Sequence, residues 1–360
     1  MENTQKYLFD TLGFIVVKNV LSQQDIDVLN AGIDSKRDSD FFERTESLRN
    51  SSRGASGRKD CGSFIKWPDS HGGNIFRSLL CHPKLRKIIS QLCGEGYRLD
   101  HRPVLFIQQP HAEGFDLHGG AVSHHGRYNF PISYHCHAGE IVCNLINVAV
   151  QITASPQGAG GFQLIPGSHK SSFPPPSGTE ALQALADAYG YQPACDAGDA
   201  IIFAEALLHG AAVRNMNQER RVALFRFAPA TCAYARGYLD ETDFALLTPA
   251  QKAVVASPYH VDQDRLVPDE NGGVWIPHPR RADKKRFDQT VFGNDYYYCI
   301  ACEYLRYFAQ NQKNFKTKLN EPNYVNHLLH EHAARPRARS AEFVCFSRTF
   351  AAECDKPQLS

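Results

Sequence analysis

Between Cys143 and Thr153 apolar and polar positions alternate: Asn144, Ile146, Val148, Val150 and Ile152 fall on one face, and Cys143, Leu145, Asn147, Ala149, Gln151 and Thr153 on the other. Period two over this length predicts a strand. The first face is apolar enough to lie under a layer of helices, whereas Asn147 and Gln151 suit the inner wall of a barrel that holds a polar ligand. Residues Gly13 to Val17 predict a short strand, and Ser22 then caps a helix carrying Ile26, Leu29 and Ile33 at helical spacing. Ile75 to Leu92 predicts one or two helices, and Arg102 to Gln109 begins a strand-rich middle. A turn-rich loop from Ser155 to Gly161 feeds a strand over Phe162 to Ile165, stopped by Pro166-Gly167-Ser168-His169. Gly198-Asp199 introduces a strand from Ala200 to Phe203 that leads on to His209, and Arg221 to Phe227 is the last clear strand. Asp38 to Asp69 is polar and aperiodic and reads as a long surface loop, mobile or functional.

Short strands with Gly/Pro turns behind a helical first third predict an α+β, mainly β fold: a double-sheet β-barrel or jelly roll flanked by helices. The character changes after Pro229. Leu247 to Gln251 reads as a capped helix start, Pro258 to Pro279 as loop, and Asp295 to Lys313 as helix. The expected organisation is a jelly-roll domain over 1-229 and a helical extension over 230-360 that covers the barrel or makes an oligomer contact. No internal repeat is evident.

A formal net charge of +1 lacks the basic excess of a dedicated nucleic-acid surface. The clusters Arg280-Arg281, Lys284-Lys285-Arg286 and Arg335 to Arg339 read as solvated faces. No run approaches the apolar length of a membrane helix, and Met1 to Lys6 lacks the apolar core of a signal peptide, so a soluble, cytoplasmic protein is expected. Eleven cysteines without framework spacing fit free thiols. Cys299 and Cys302 read as packed small residues rather than a zinc or redox pair.

The chemistry gathers on His118, in Leu117-His118-Gly119-Gly120, and on His209, with Arg220 eleven residues beyond it. Two histidines and one carboxylate make the usual mononuclear non-haem iron site, with open positions for a chelating co-substrate and for oxygen. The carboxylate would stand at position 120, which is glycine. Leu12-Gly13-Phe14-Ile15-Val16-Val17, the run Gly161-Phe162-Gln163-Leu164-Ile165-Pro166-Gly167-Ser168-His169-Lys170, and Gly198-Asp199-Ala200-Ile201-Ile202-Phe203 followed by His209 and Arg220 together resemble the phytanoyl-CoA dioxygenase-like family of Fe(II)/2-oxoglutarate oxygenases. The resemblance covers residues 8 to 229.

The resemblance implies a cupin-like jelly roll, with Fe(II), 2-oxoglutarate and oxygen as co-reactants and a small-molecule substrate. It implies that His118 and His209 are the histidine ligands and that Arg220 pairs with the distal carboxylate of 2-oxoglutarate, a task suited to a two-pronged guanidinium. Asn147 would offer the co-substrate a polar contact, and Gln108, Gln109 and Gln151 would add polar lining. Arg221 should point to the opposite face and pair at the surface, and His169 should bond locally.

Three explanations of Gly120 compete: Asp116, Glu140 or Glu205, or a water held by one of them, completes the iron sphere; chloride fills the place, as in halogenating relatives; or iron binds weakly or not at all. The leading reading is hydroxylation of an aliphatic C–H bond. Halogenation with chloride beside Gly120 is its variant, and a non-catalytic barrel binding a small carboxylate or a partner protein is the alternative from another class. A zinc hydrolase fits less well, since two histidines without a third ligand do not make an open tetrahedral site. The 38 to 69 loop, the span from His124 to His137 and the tail are expected to shape the pocket, but no motif names the substrate.

Overall fold

The computed structural model describes residues 1-36, 58-235, 245-258 and 266-276, and singly 283, 286, 287, 290 and 291. The elements begin with α1 (Asn3–Leu12), β1 (Phe14–Val17), α2 (Gln23–Ser35), β2 (Arg58–Cys61), α3 (Gly73–Ser78), α4 (Pro83–Cys93), β3 (Arg98–Leu99), β4 (Val104–Gln108), β5 (Phe115–His118), β6 (Tyr134–His137) and β7 (Glu140–Cys143). Then come β8 (Ile146–Gln151), β9 (Gly161–Leu164), α5 (Thr179–Tyr189), β10 (Ala200–Ala204), β11 (His209–Ala212), β12 (Arg220–Ala228), α6 (Pro249–Val255), β13 (Val267–Pro268) and β14 (Val274–Trp275). Local chemistry sets several of these boundaries. Ser22 and Asp25 form a reciprocal capping box at α2, Thr248 and Gln251 do the same at α6, and Pro83 opens α4 at its first turn.

A large antiparallel sheet runs β1-β10-β8-β12-β4-β2, with β3 also on β12, and a smaller one runs β5-β11-β9. Alternation then divides each central strand. On the outer face of the large sheet, Ile146, Val148, Val150, Ala200, Ile202, Ala223, Phe225 and Phe227 join the main core with Leu29, Ile33, Leu85 and Ile89 of the helices. On the inner face, Ala149, Ile201, Phe203, Val222 and Leu224 pack with Leu164 of the small sheet. The result is the jelly roll, two sheets face to face, with helices on the outer face of the large sheet and α5 packed on Leu117 of the small one.

The strand around Asn147 is shorter than its period-two run. Asn144 leaves the pattern because its amide donates to the Phe130 carbonyl at 2.8 Å and its N–H to Ser133 at 3.0 Å, so β7 pairs with β6 as a separate ribbon and β8 starts afresh. The surface loop expected up to Asp69 is also corrected over residues 58 to 69. There β2 pairs with β4, and Cys61, Phe64, Ile65 and Trp67 are all buried. The Arg77 guanidinium holds this segment by donating to the Ile65 and Trp67 carbonyls at 2.8 and 2.9 Å. Within the loop expected from Pro258 to Pro279, β13 and β14 pair as a short hairpin.

Chain contacts group Met1–Lys284 into one compact unit and Lys285–Ser360 into another. The expected division at residue 229 falls inside the first. Asp100 there accepts the backbone N–H groups of Tyr234 and Ala235, and Leu247, Val254 and Val255 join the main core. The helix expected at 295 to 313, the Cys299/Cys302 pair, Arg280-Arg281, Lys284-Lys285 and Arg335 to Arg339 lie outside the described residues. The seven described cysteines are free thiols, and among the described residues no helix is long and apolar enough to cross a membrane.

Candidate functional site

His118 ends β5 and His209 begins β11, and the two are direct cross-strand partners in the small sheet. A bulge between His209 and Ala211 adjusts the register just where the rings meet. Their centroids lie 4.3 Å apart at an interplanar angle of 52°, close enough for one ion to touch both. Each ring is oriented through Nδ1: that of His118 sits 3.2 Å from the Asp116 carbonyl and that of His209 2.6 Å from the Leu207 carbonyl. A backbone carbonyl on Nδ1 fixes the tautomer that presents Nε2 as a ligand. Burial, and after it the neighbouring His118, hold the His209 imidazole down at about 3, so that it stays neutral with its lone pair available.

The Pro-Gly-Ser-His run positions this pair from behind. Ser168 Oγ donates to the Ile165 carbonyl at 2.7 Å and accepts the Leu208 N–H at 2.8 Å, fixing the residue that precedes His209. The bond expected of His169 reaches across the sequence to α1 rather than to its own neighbours. Its Nε2 is 3.1 Å from the Asp10 carbonyl, and burial keeps it neutral, down at about 4.

Arg220 begins β12 and is 8% exposed. It shares the inner face of β12 with Val222, Leu224 and Arg226, and its register partner on β4 is Gln108. The side chain runs directly over Gly161: a Cβ there would lie 2.6 Å from Arg220 Cδ and 2.8 Å from its Nε. Arg221 takes the opposite face as expected, but it is buried rather than at the surface, bonded to Asn30, Asp34 and Glu219.

Gln108 gives its amide N–H to the carbonyls of Ala112, Glu113 and Ala212, and Gln151 to that of Ala149. The side-chain oxygens of both are buried without a hydrogen-bond partner among the described residues. Such polar orphans inside a barrel mark a place where a ligand or water is accommodated. Gln109 is instead engaged with Glu219 at 3.1 Å.

Asn147 is fully buried, and both ends of its amide are in use. Its Nδ2 donates to Glu205 Oε2, and its Oδ1 accepts from Arg226 Nε at 3.0 Å, while Arg226 Nε lies 3.6 Å from the same carboxylate. Arg226 was not singled out by sequence, yet period two from Arg220 puts it on the inner face. Burial works against the Glu205 charge, but Arg226, His209, the Asn147 amide and His118 outweigh it and hold the carboxyl below its usual range.

Of the other acids considered, Asp116 lines a cavity of about 360 Å³ together with Gln163, Gln183 and Asp187, and neither imidazole is in its wall. Glu140, His135 and His137 are exposed on the β6-β7 ribbon, and His124 and His125 are exposed in a turn before it. Gly120 adopts φ +94, and a Cβ on it would first meet the Val122 carbonyl oxygen at 3.4 Å and the Pro175 ring at 3.7 Å. Among the described residues no three His, Cys, Asp or Glu side chains already stand in an arrangement that could hold a metal. Two imidazoles, each set through Nδ1 on a backbone carbonyl, nevertheless offer the nitrogen donors that suit ferrous iron and its keto-acid co-substrate.

Residues 9–223 match the family described as phytanoyl-CoA dioxygenase (PhyH). Among curated proteins, none matches this sequence. Among solved structures, the chain resembles HygX from Streptomyces hygroscopicus with nickel, 2-oxoglutarate and hygromycin B bound, at 19% identity and a TM-score of 0.53, covering 66% of this chain and 90% of that one. With nickel and 2-oxoglutarate alone, HygX gives 18% identity and a TM-score of 0.53, covering 72% and 96%. At such identities the likeness speaks for the fold. Because the family match spans well over half of the sequence and contains both histidines and Arg220, this chain belongs to the phytanoyl-CoA dioxygenase family of iron- and 2-oxoglutarate-dependent enzymes.

Proposed function

We propose that the protein is an Fe(II)/2-oxoglutarate-dependent oxygenase that hydroxylates an aliphatic C–H bond of a small molecule, with His118 and His209 holding the metal and Arg220 holding the co-substrate. The observation that carries this is the cross-strand pair of imidazoles 4.3 Å apart, each set through Nδ1 on a backbone carbonyl. When bound, iron with 2-oxoglutarate supplies the power to activate oxygen. The protein's own residues do the rest. The imidazoles offer two nitrogen donors, Arg220 offers a buried cation for a carboxylate, and Gln108 and Gln151 offer polar lining beside it. Phe162, Phe203 and Leu164 make the wall around His209 apolar, which keeps bulk water from the reacting centre.

Hydroxylation is preferred to halogenation on the geometry at position 120. The direction a side chain would take there leads to a carbonyl oxygen, which repels an anion, and to a proline ring. Product mass measured with and without chloride separates the two reactions, and a chlorinated product would overturn the preference. The iron reading is tested by anaerobic calorimetric titration of 2-oxoglutarate into the protein with and without Fe(II). Binding should require the metal and weaken at least tenfold in Arg220→Ala, by loss of a charged hydrogen-bond pair. Tight binding without metal would favour a carboxylate-binding barrel with no catalysis.

A further inference from the structure

The metal centre as proposed is one carboxylate short, and the backbone around Gly119 and Gly120 indicates where the replacement comes from. The turn that follows His118 is packed directly on residues 205 to 207. A Cβ at Gly119 would lie 2.6 Å from the Leu207 carbonyl oxygen and 2.9 Å from that of Glu205, and the Gly120 N–H donates to the Ala206 carbonyl at 3.1 Å. The glycines that remove a carboxylate from the usual position thus allow the loop between β10 and β11 to close against the histidine turn. Glu205 sits on that loop four residues before His209, with its own N–H on the Leu145 carbonyl at 3.0 Å.

Its carboxylate is buried, its charge acts on both imidazoles, and its nearest cation, Arg226, stands 3.6 Å away. Asn147 and Arg226 keep this carboxylate charged in the interior, the form in which it can take a cation. Asp116 opens into another cavity and Glu140 faces solvent, so neither is placed for the task.

We propose, resting on the iron reading above, that Glu205 supplies the carboxylate of the metal centre from the β10-β11 loop, in place of the residue at 120. Asn147 and Arg226 act as positioning residues that hold it beside the histidines. Since the described side chains are not yet in ligating arrangement, Glu205 engages the metal either by rotating away from Asn147 or through one bridging water.

The test is the dissociation constant for Co(II) alone, read from its visible spectrum, in the full-length protein and in variants whose thermal melts are recorded alongside. Glu205→Gln keeps the shape and removes the charge. It should weaken Co(II) roughly tenfold to a hundredfold, the range expected for groups supporting a metal site, while Glu205→Asp, Asp116→Asn and Glu140→Gln stay within about threefold of the parent. Loss of Co(II) binding in His209→Ala with unchanged binding in Glu205→Gln would overturn this inference alone. Binding that survives His209→Ala would overturn the iron reading and this inference with it. If Glu205→Gln does not fold, a crystal structure of the Co(II)-loaded parent decides. A Glu205 carboxylate within about 2.2 Å of the metal, or joined to it by one water, supports the proposal, and a carboxylate still on Asn147 with no shared water overturns it.

Discussion

Replacing Gly161 by alanine tests the arginine anchor without touching any group that would meet the co-substrate. The new Cβ would stand 2.6 Å from Arg220 Cδ, 2.8 Å from Nε and 3.3 Å from Cζ, whereas ordinary contacts begin near 3.4 Å. The guanidinium must therefore move by nearly an ångström, because the clashing Cδ, Nε and Cζ atoms carry or belong to the head group. Gly161 also has φ +86, so alanine adds backbone strain of about 1 to 3 kcal/mol. Together with about 1 to 3 kcal/mol for overpacking a filled site, a loss of melting temperature on the order of 5 to 15 °C follows. A charged hydrogen-bond pair contributes about 1.5 to 3 kcal/mol, so a displaced guanidinium should weaken 2-oxoglutarate about tenfold to a hundredfold. Calorimetry in the presence of a divalent metal reads the second effect and differential scanning the first, while metal affinity itself should hold. A folded Gly161→Ala protein that binds 2-oxoglutarate within twofold of the parent would refute the assignment of Arg220.

Further outcomes follow from the same geometry. The metal-free protein should lose stability as pH falls below the usual histidine value of about 6.5, because the unfolded chain takes up protons that buried His209 and His169 refuse until about 3 and about 4. The slope should approach 3 kcal/mol per pH unit, about 1.4 for each group, and a flat denaturant midpoint between pH 6.5 and 5 would contradict it. Ser168→Ala strips the acceptor from the Leu208 N–H and should cost about 1 to 3 kcal/mol in equilibrium unfolding, with an unchanged midpoint counting against the role given to this hydroxyl. Gly120→Asp should destabilise by about 1 to 3 kcal/mol through its positive φ and should not tighten Co(II), since its side chain starts toward Val122 and Pro175. A tenfold gain in metal affinity in that variant would show that position 120 faces the metal after all.

Most of the barrel was legible from local pattern. Period two around Val148 and Phe225 exposes which residues face the helices, and the same alternation sends Asn147, Gln151 and Arg220 inward. What escaped depends on contacts far apart in sequence. Polar Arg58 to Asp60 gives no sign of pairing with β4, and Phe64 and Trp67 look like stray aromatics until Arg77 ties their loop from the following helix. Asn144 reads as one more alternating position because its bonds to Phe130 and Ser133 cannot be seen in a period. At the site, His118, His209 and Arg220 were singled out by their motifs and the resemblance those motifs carry. Glu205 stood only as one of three acids, because the choice rests on burial and on the packing of one turn upon another. Arg226 went unremarked, although counting by twos from Arg220 reaches it.

That two imidazoles grip ferrous iron within reach of a keto-acid is the assignment on which all the others rest. Anaerobic addition of Fe(II) and then 2-oxoglutarate, followed by visible absorption, tests it most directly. A metal-to-ligand charge-transfer band should appear only when both are present and disappear in His118→Ala and in His209→Ala. A parent protein that shows no band, or a band that survives both substitutions, would contradict it.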